Sequence, residues 1–138
     1  MGCSIEVDIM RWTVSPKAFI GVMTDDLSKL HRATAIEILN KVIQRSPVDT
    51  GRFRANHILT LVTPNTGTKE VDDKSGSVTL AAGLSVVGGI AKGEYPLIYI
   101  QNNLPYAQVL EDGSSQQAPL GIYALAVQDV KNNLRAGR

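Results

Sequence analysis

With 138 residues, 43% of them hydrophobic and 20% charged, the chain has the make-up of one folded domain and not of a disordered or fibrous protein. Fourteen basic residues against 13 acidic ones leave a formal charge of +1, which excludes a global field for nucleic acid or anionic lipid and leaves room only for local contacts. The single cysteine, Cys3, excludes an internal disulfide, and a chain of this length buries roughly two-thirds of its unfolded surface without needing one.

The N-terminus carries Glu6 and Asp8 where an export signal needs a basic patch and an unbroken apolar core, so no export signal is expected. Ile5, Val7 and Ile9 alternate with those acids, a period of two that predicts a short strand with one wet face. Ser15-Pro16 reads as an N-cap followed by proline at the first helical position. A long helix is expected from there. Phe19, Met23, Leu27, Leu30, Thr34, Ile38 and Val42 recur at helical spacing, and Val22, Ile36, Leu39 and Ile43 widen the stripe into a core-facing side. Pro47 ends the helix, because the residue before a proline is pushed out of helical geometry.

Val48 to Arg52 supplies turn formers and a second cap, and Ile58 to Thr63 is β-prone. Pro64 to Ser77 is the polar interruption of the chain, expected as a long mobile loop or a hairpin tip because it has few apolar anchors. Leu80, Leu84, Val87 and Ala91 have helical spacing and predict a helix, a weak one because Gly83, Gly88 and Gly89 each cost it about 1 kcal/mol relative to alanine. Pro96 to Ile100 is a continuous apolar run that predicts a strand buried on both faces, ended by Asn102 to Pro105. Behind Pro119, residues Leu120, Tyr123, Val127, Val130 and Leu134 step by three and four and predict a C-terminal helix. The apolar stretches near residues 80–91 and 120–127 fall far short of the roughly 20 residues that span a bilayer, so no membrane contact is expected. The expected fold is a single α+β domain over residues 1–138. Its small, mostly antiparallel sheet is packed by the long N-terminal helix and the C-terminal helix.

Signs of chemistry are few. Gly83 to Gly89 invites a phosphate-loop reading, but Ile90-Ala91 stands where the lysine and hydroxyl residue would follow, and a close-packed segment fits better. His31, His57 and Cys3 lack metal-ligand spacing, and both histidines read as surface or partner-facing groups. Asp25-Asp26 and Glu111-Asp112 come without a neighbouring acid, base or nucleophile and read as solvated carboxylates, while Ser114 and Ser115 lack a nucleophile elbow. No catalytic residue, metal or cofactor is assigned. Lys41, Arg45, Arg52 and Arg54, with His57, form the one basic cluster, which suits non-specific contact with DNA. A solvated helix end is the favoured reading of Lys41 and Arg45, since cations there complement the helix dipole with no ligand at all.

Three segments together resemble the tail-component or neck-protein family of long-tailed bacteriophages. They are Ser46-Pro47-Val48-Asp49-Thr50-Gly51-Arg52-Phe53-Arg54-Ala55-Asn56 after a long amphipathic helix, Ile98 to Ala107, and Val109 to Gly121 leading into the last helix. The resemblance runs from about Ser15 to Val130, and the chain departs from the family at His57, where a tryptophan is common, and in the polar loop after Pro64. It implies a structural virion protein without catalytic activity or cofactor, placed at the head-to-tail joint or tail top and assembled in the host cytoplasm. It also implies a ring, sixfold like the tail, whose partners are neighbouring neck, connector or tail-terminator proteins and whose channel brings DNA into incidental contact. The segment from Asn102 to Gly121, rich in amides and hydroxyls between Pro105 and Pro119, offers Asn103, Pro105, Tyr106, Gln116, Gln117 and Leu120 as the candidate subunit interface. A small nucleic-acid-binding module is the alternative.

Overall fold

The computed structural model describes residues 16–136, with side chains from Asp25 onward, so the strand expected at Ile5 to Ile9 lies outside the described residues. The elements in order are α1 (Pro16–Arg45), α2 (Arg52–Ala55), β1 (His57–Leu61), α3 (Ser77–Gly88), β2 (Ile98–Asn102), α4 (Ala107–Glu111) and α5 (Tyr123–Arg135). Among the described residues β1 and β2 form one antiparallel two-stranded sheet, with Leu59 opposite Ile100 and Leu61 opposite Ile98. The fold is α+β, as the alternation of periods in the sequence predicts.

α1 is the spine and serves two cores. On one side Ala35, Leu39 and Ile43 pack with Leu59, Val87 and Ile90, while Ile98 and Ile100 close the rim of this cluster. On the other, Val42 packs with Phe53, Ala118, Ile122 and Ala126. Two polar ties fix α1 against α5: Arg45 Nη2 donates to Asp129 Oδ2 at 2.7 Å, and Asn133 Nδ2 donates to Glu37 Oε1 at 2.7 Å. The buried side of α1 therefore runs through Ser28, Ala35, Leu39, Val42 and Ile43, not along the whole predicted stripe, and Leu27 and Leu30 remain about half exposed. Of that stripe, the side chains of Phe19, Val22 and Met23 lie outside those described.

The glycine-rich stretch forms the helix, α3, that its spacing predicts, and Gly83 faces Leu39, so that a methyl group there would collide with that fully buried side chain. The glycine that weakens the helix is thus what lets it approach α1. β2 begins at Ile98, two residues later than the apolar run, and is half-buried throughout. Among the described residues its strand neighbour is β1, and as in any strand its side chains alternate between the helices and the opposite surface. α4 was not foreseen. The C-terminal helix starts at Tyr123, leaving Leu120 77% exposed; its buried residues are Ala126 and Val130, behind the buried Ile122, so that of the predicted seam Val130 is buried while Tyr123 and Val127 are only partly so.

The polar interruption after Pro64 has no regular structure up to α3, as expected, and its main chain is tied down by side chains of the preceding turn. Asn56 Nδ2 donates to Lys69 O at 3.0 Å while Lys69 N donates to Asn56 Oδ1 at 2.6 Å. Arg52 pairs with Asp72 at 3.1 Å, and Arg54 Nη1 donates to Lys74 O at 2.6 Å.

Candidate functional site

The three segments that carry the resemblance meet around Phe53, which packs with Ala118, Leu104 and Ala107. After Pro47 the chain turns, Arg52 N donates to Thr50 Oγ1 at 3.2 Å, and Gly51 adopts φ of 94°. A side chain at Gly51 would collide with the backbone of Asp73 and Lys74, so glycine there serves both the left-handed turn and the close approach of the loop. Gly51 O accepts from Ala55 N and from Asp73 N, each at 3.0 Å. The turn carries Phe53 into the core beside Ala118 and Ile122. Sixty-nine residues further on, Gln117 grips the same turn: Val48 N donates to Gln117 Oε1 at 2.8 Å and Gln117 Nε2 donates to Val48 O at 3.2 Å. A cleft of about 300 Å³ lies between them, walled by Pro47, Val48, Phe53, Tyr106 and Leu110.

Glu111 is not a free carboxylate. Its Oε2 accepts from Ile122 N at 2.9 Å and Tyr123 N at 2.8 Å, and its Oε1 accepts from Ala124 N at 3.1 Å. A charge that satisfies three orphan donors at the positive end of α5 explains why that helix starts where it does. Asp73 does the same for α3, accepting from Gly76 N at 3.1 Å and from Thr79 N and Thr79 Oγ1 at 2.9 Å. Burial pushes the Asp73 carboxyl upward, but the bonds from Thr79, Gly76 and Ser75 outweigh it and hold the group below its ordinary value. Asp25 pairs with Lys29 one turn on at 3.2 Å, and Asp112 accepts from Gln108 Nε2 at 3.0 Å.

His57, expected at the surface or facing a partner, is instead 2% exposed and faces inward with Leu59 and Leu61. Ser46 Oγ donates its one hydrogen to Val42 O at 2.6 Å, so His57 Nε2, also 2.6 Å from Ser46 Oγ, carries a hydrogen and donates it. Nδ1 is then the acceptor, receiving the Tyr123 hydroxyl at 2.7 Å. Burial pushes the ring's pKa down to about 3, with the nearby Arg54 charge adding to it, and burial raises the Tyr123 phenol with Glu111 adding. A serine within hydrogen-bond reach of a histidine has the spacing of a nucleophile and its base. Here Ser46 is 3% exposed, and its hydrogen is committed to a main-chain carbonyl, so no substrate carbonyl can approach it. The trio ties α1, β1 and α5 together. His31 is half-buried; its Nε2 lies 3.1 Å from Pro96 O and its ring packs edge-on to Tyr95.

The basic cluster does not assemble into a free cationic patch. Arg45 is paired with Asp129, Arg52 with Asp72 and Glu70, and Arg54 with the carbonyls of Lys74 and Ser46, which leaves Lys41, half-buried on α1, apart from those pairings. Of the candidate interface residues, Pro105, Tyr106, Gln116 and Leu120 are exposed, Gln117 holds Val48, and Asn103 Nδ2 donates to the carbonyls of Asn65 and Gly67. Among the described residues no group of three His, Cys, Asp or Glu side chains is placed to hold a metal ion, and no helix is long and apolar enough to cross a membrane.

Sequence reasoning missed Glu111, Asp73 and the burial of His57. Two had a signal: His57 shares the parity of Leu59 and Leu61 in a strand, and Asp73 stands three residues before Gly76 at the entry to an apolar run. Glu111 caps a helix eleven residues downstream, which no local pattern announces. No family model, curated protein or solved structure matches the chain.

Proposed function

We propose that the chain is a structural, non-catalytic virion protein of a tailed bacteriophage, a neck or tail-completion subunit that joins the tail to the head-side connector. The observation that carries this reading is the joining of the three resembling segments into one body, with the Gln117 amide gripping Val48 and Phe53 packed against Ala118. The same body presents Tyr106, Val109 and Leu120 as exposed apolar side chains, surface that a partner would cover. A ring is the assembly that fits, because head-to-tail contacts on a rotationally symmetric tail close on themselves, and sixfold closure matches the tail. Free subunits can stay monomeric until neighbours anchored on the connector raise their effective concentration. The nucleic-acid reading is supported less, since Arg45, Arg52 and Arg54 are engaged within the chain, and contact with DNA passing through the channel is incidental. The test is an infection with the gene disabled: unjoined heads or defective tails despite normal DNA synthesis are expected, and normal virions would refute a joining role.

A further inference from the structure

Residues 63–72 lie between β1 and the anchored Asp73, and polar side chains of the body hold them. Asn56, 0% exposed, sets its carboxamide against both main-chain groups of Lys69. Asn103 Nδ2 donates to Asn65 O at 2.6 Å and to Gly67 O at 2.8 Å, and Gln101 Nε2 donates to Asn65 O at 2.5 Å. The apolar side chains of the segment, Pro64 and Val71, are exposed, and neither belongs to either core. Its two ends are fastened differently. Asp73 N donates to Gly51 O and the Asp73 carboxylate caps α3, so this end belongs to the body. At the other end Val62 N donates to Leu97 O at 2.7 Å, and Thr63 N donates to Leu61 O at 2.7 Å across a tight turn. The turn holds Val62 at φ of 69°, and among the described residues this is the one position other than glycine with a positive φ. A β-branched residue there crowds its own main chain, at a penalty of about tenfold in an equilibrium. The Val62 side chain is 64% exposed, so packing does not offset the strain.

We propose that residues 63–72 are a strap that opens as one unit, with Val62 as its hinge, while both cores stay closed, and that the closed strap withholds the Gln101 and Asn103 carboxamides that the open one frees. The bonds that opening breaks become accessible to water, which takes the place of the lost partners, and Asn56 keeps its bond to Arg52 O at 2.8 Å. Opening also lets Val62 return to extended backbone, which removes the penalty that the closed form carries. The apolar packing is left intact, because the strap has no share in it. Asn103 stands in the candidate subunit interface. Closed, its amide nitrogen serves the strap; open, its N–H groups become donors for the main chain of a neighbouring copy. That use of the freed amides rests on the ring reading, and the opening itself does not.

Hydrogen exchange of the isolated full chain, followed by nuclear magnetic resonance at low urea concentrations, tests the strap apart from any ring. The Lys69 amide, which donates to Asn56, is expected to be protected yet to exchange about tenfold or more faster than the Thr79 amide bound by Asp73, with little dependence on urea, because a local opening releases it. Val62→Gly is expected to slow exchange at Lys69 by about threefold or more relative to Val62→Ala, since glycine adopts the hinge conformation freely and alanine does not. Both substitutions fall at an exposed side chain and leave the cores untouched. Asn103→Ala, which removes two ties, should speed exchange at Lys69. A Lys69 amide that matches Thr79 in rate and urea dependence, one that has no protection, or glycine and alanine variants that exchange alike would each overturn the proposal. Normal virions from an infection with the gene disabled, alongside the expected exchange pattern, would count against the ring reading and leave the strap standing.

Discussion

Acidification reads out the buried histidine directly. Unfolded, His57 takes up a proton as the pH falls through its ordinary value of 6.5, whereas in the folded protein burial holds the ring neutral down to about 3. The unfolded state therefore binds the extra proton throughout that window. The stability contributed by the neutral ring is fully present above pH 6.5 and is lost progressively as the pH falls toward 3. Each pH unit within the window is worth about 1.4 kcal/mol, so moving from pH 7.5 to pH 5 costs about 2 kcal/mol at this one site. The hydrogen-bond pattern gives the reason in atoms: a second ring hydrogen at Nδ1 would meet the Tyr123 hydroxyl hydrogen already pointing at it. Urea unfolding at a series of pH values measures the loss. The same series on His57→Gln, which has no titrating ring, should be flatter by about 2 kcal/mol between pH 7.5 and 5. Should that variant fail to fold, the ring resonances of the unmodified protein still decide the matter. A His57 ring that titrates near 6.5 in the folded protein, or a Gln variant with an unchanged slope, would refute the reasoning.

Three further outcomes follow from the packing. Gly83→Ala should destabilise by about 1–3 kcal/mol through overpacking against Leu39, offset in part by about 1 kcal/mol of helix propensity, as read by urea unfolding; a net gain would mean that α3 can shift freely. Glu111→Gln should cost about 1–3 kcal/mol and loosen hydrogen exchange at the Ile122, Tyr123 and Ala124 amides specifically. Leu120→Asp should leave the unfolding midpoint unchanged, because the side chain is exposed, yet block incorporation into particles in a complementation assay.

What the sequence made legible was what local rules govern. The span of α1, its stop before Pro47, the strand at Ile58 and the existence of a C-terminal helix all rest on periodicity and proline chemistry within a few residues. What it hid was decided by partners far along the chain. The α3 glycines weaken the expected helix without a visible reason until Leu39 is seen to occupy the space a methyl group would need at Gly83. The start of α5 depends on Glu111, and the inward turn of His57 depends on Ser46 and Tyr123 receiving it. The candidate interface was legible as composition only. The structure divides it into side chains spent within the chain, Asn103 and Gln117, and side chains left outside, Pro105, Tyr106, Gln116 and Leu120.

The central claim, a ring subunit of the virion neck, is tested most directly by a reconstruction of the assembled particle at the head-to-tail joint. It should show this fold in six copies around the channel, with Tyr106, Gln116 and Leu120 buried between neighbours or against the connector. A single copy per particle, or a ring that leaves those residues in open solvent, would contradict it.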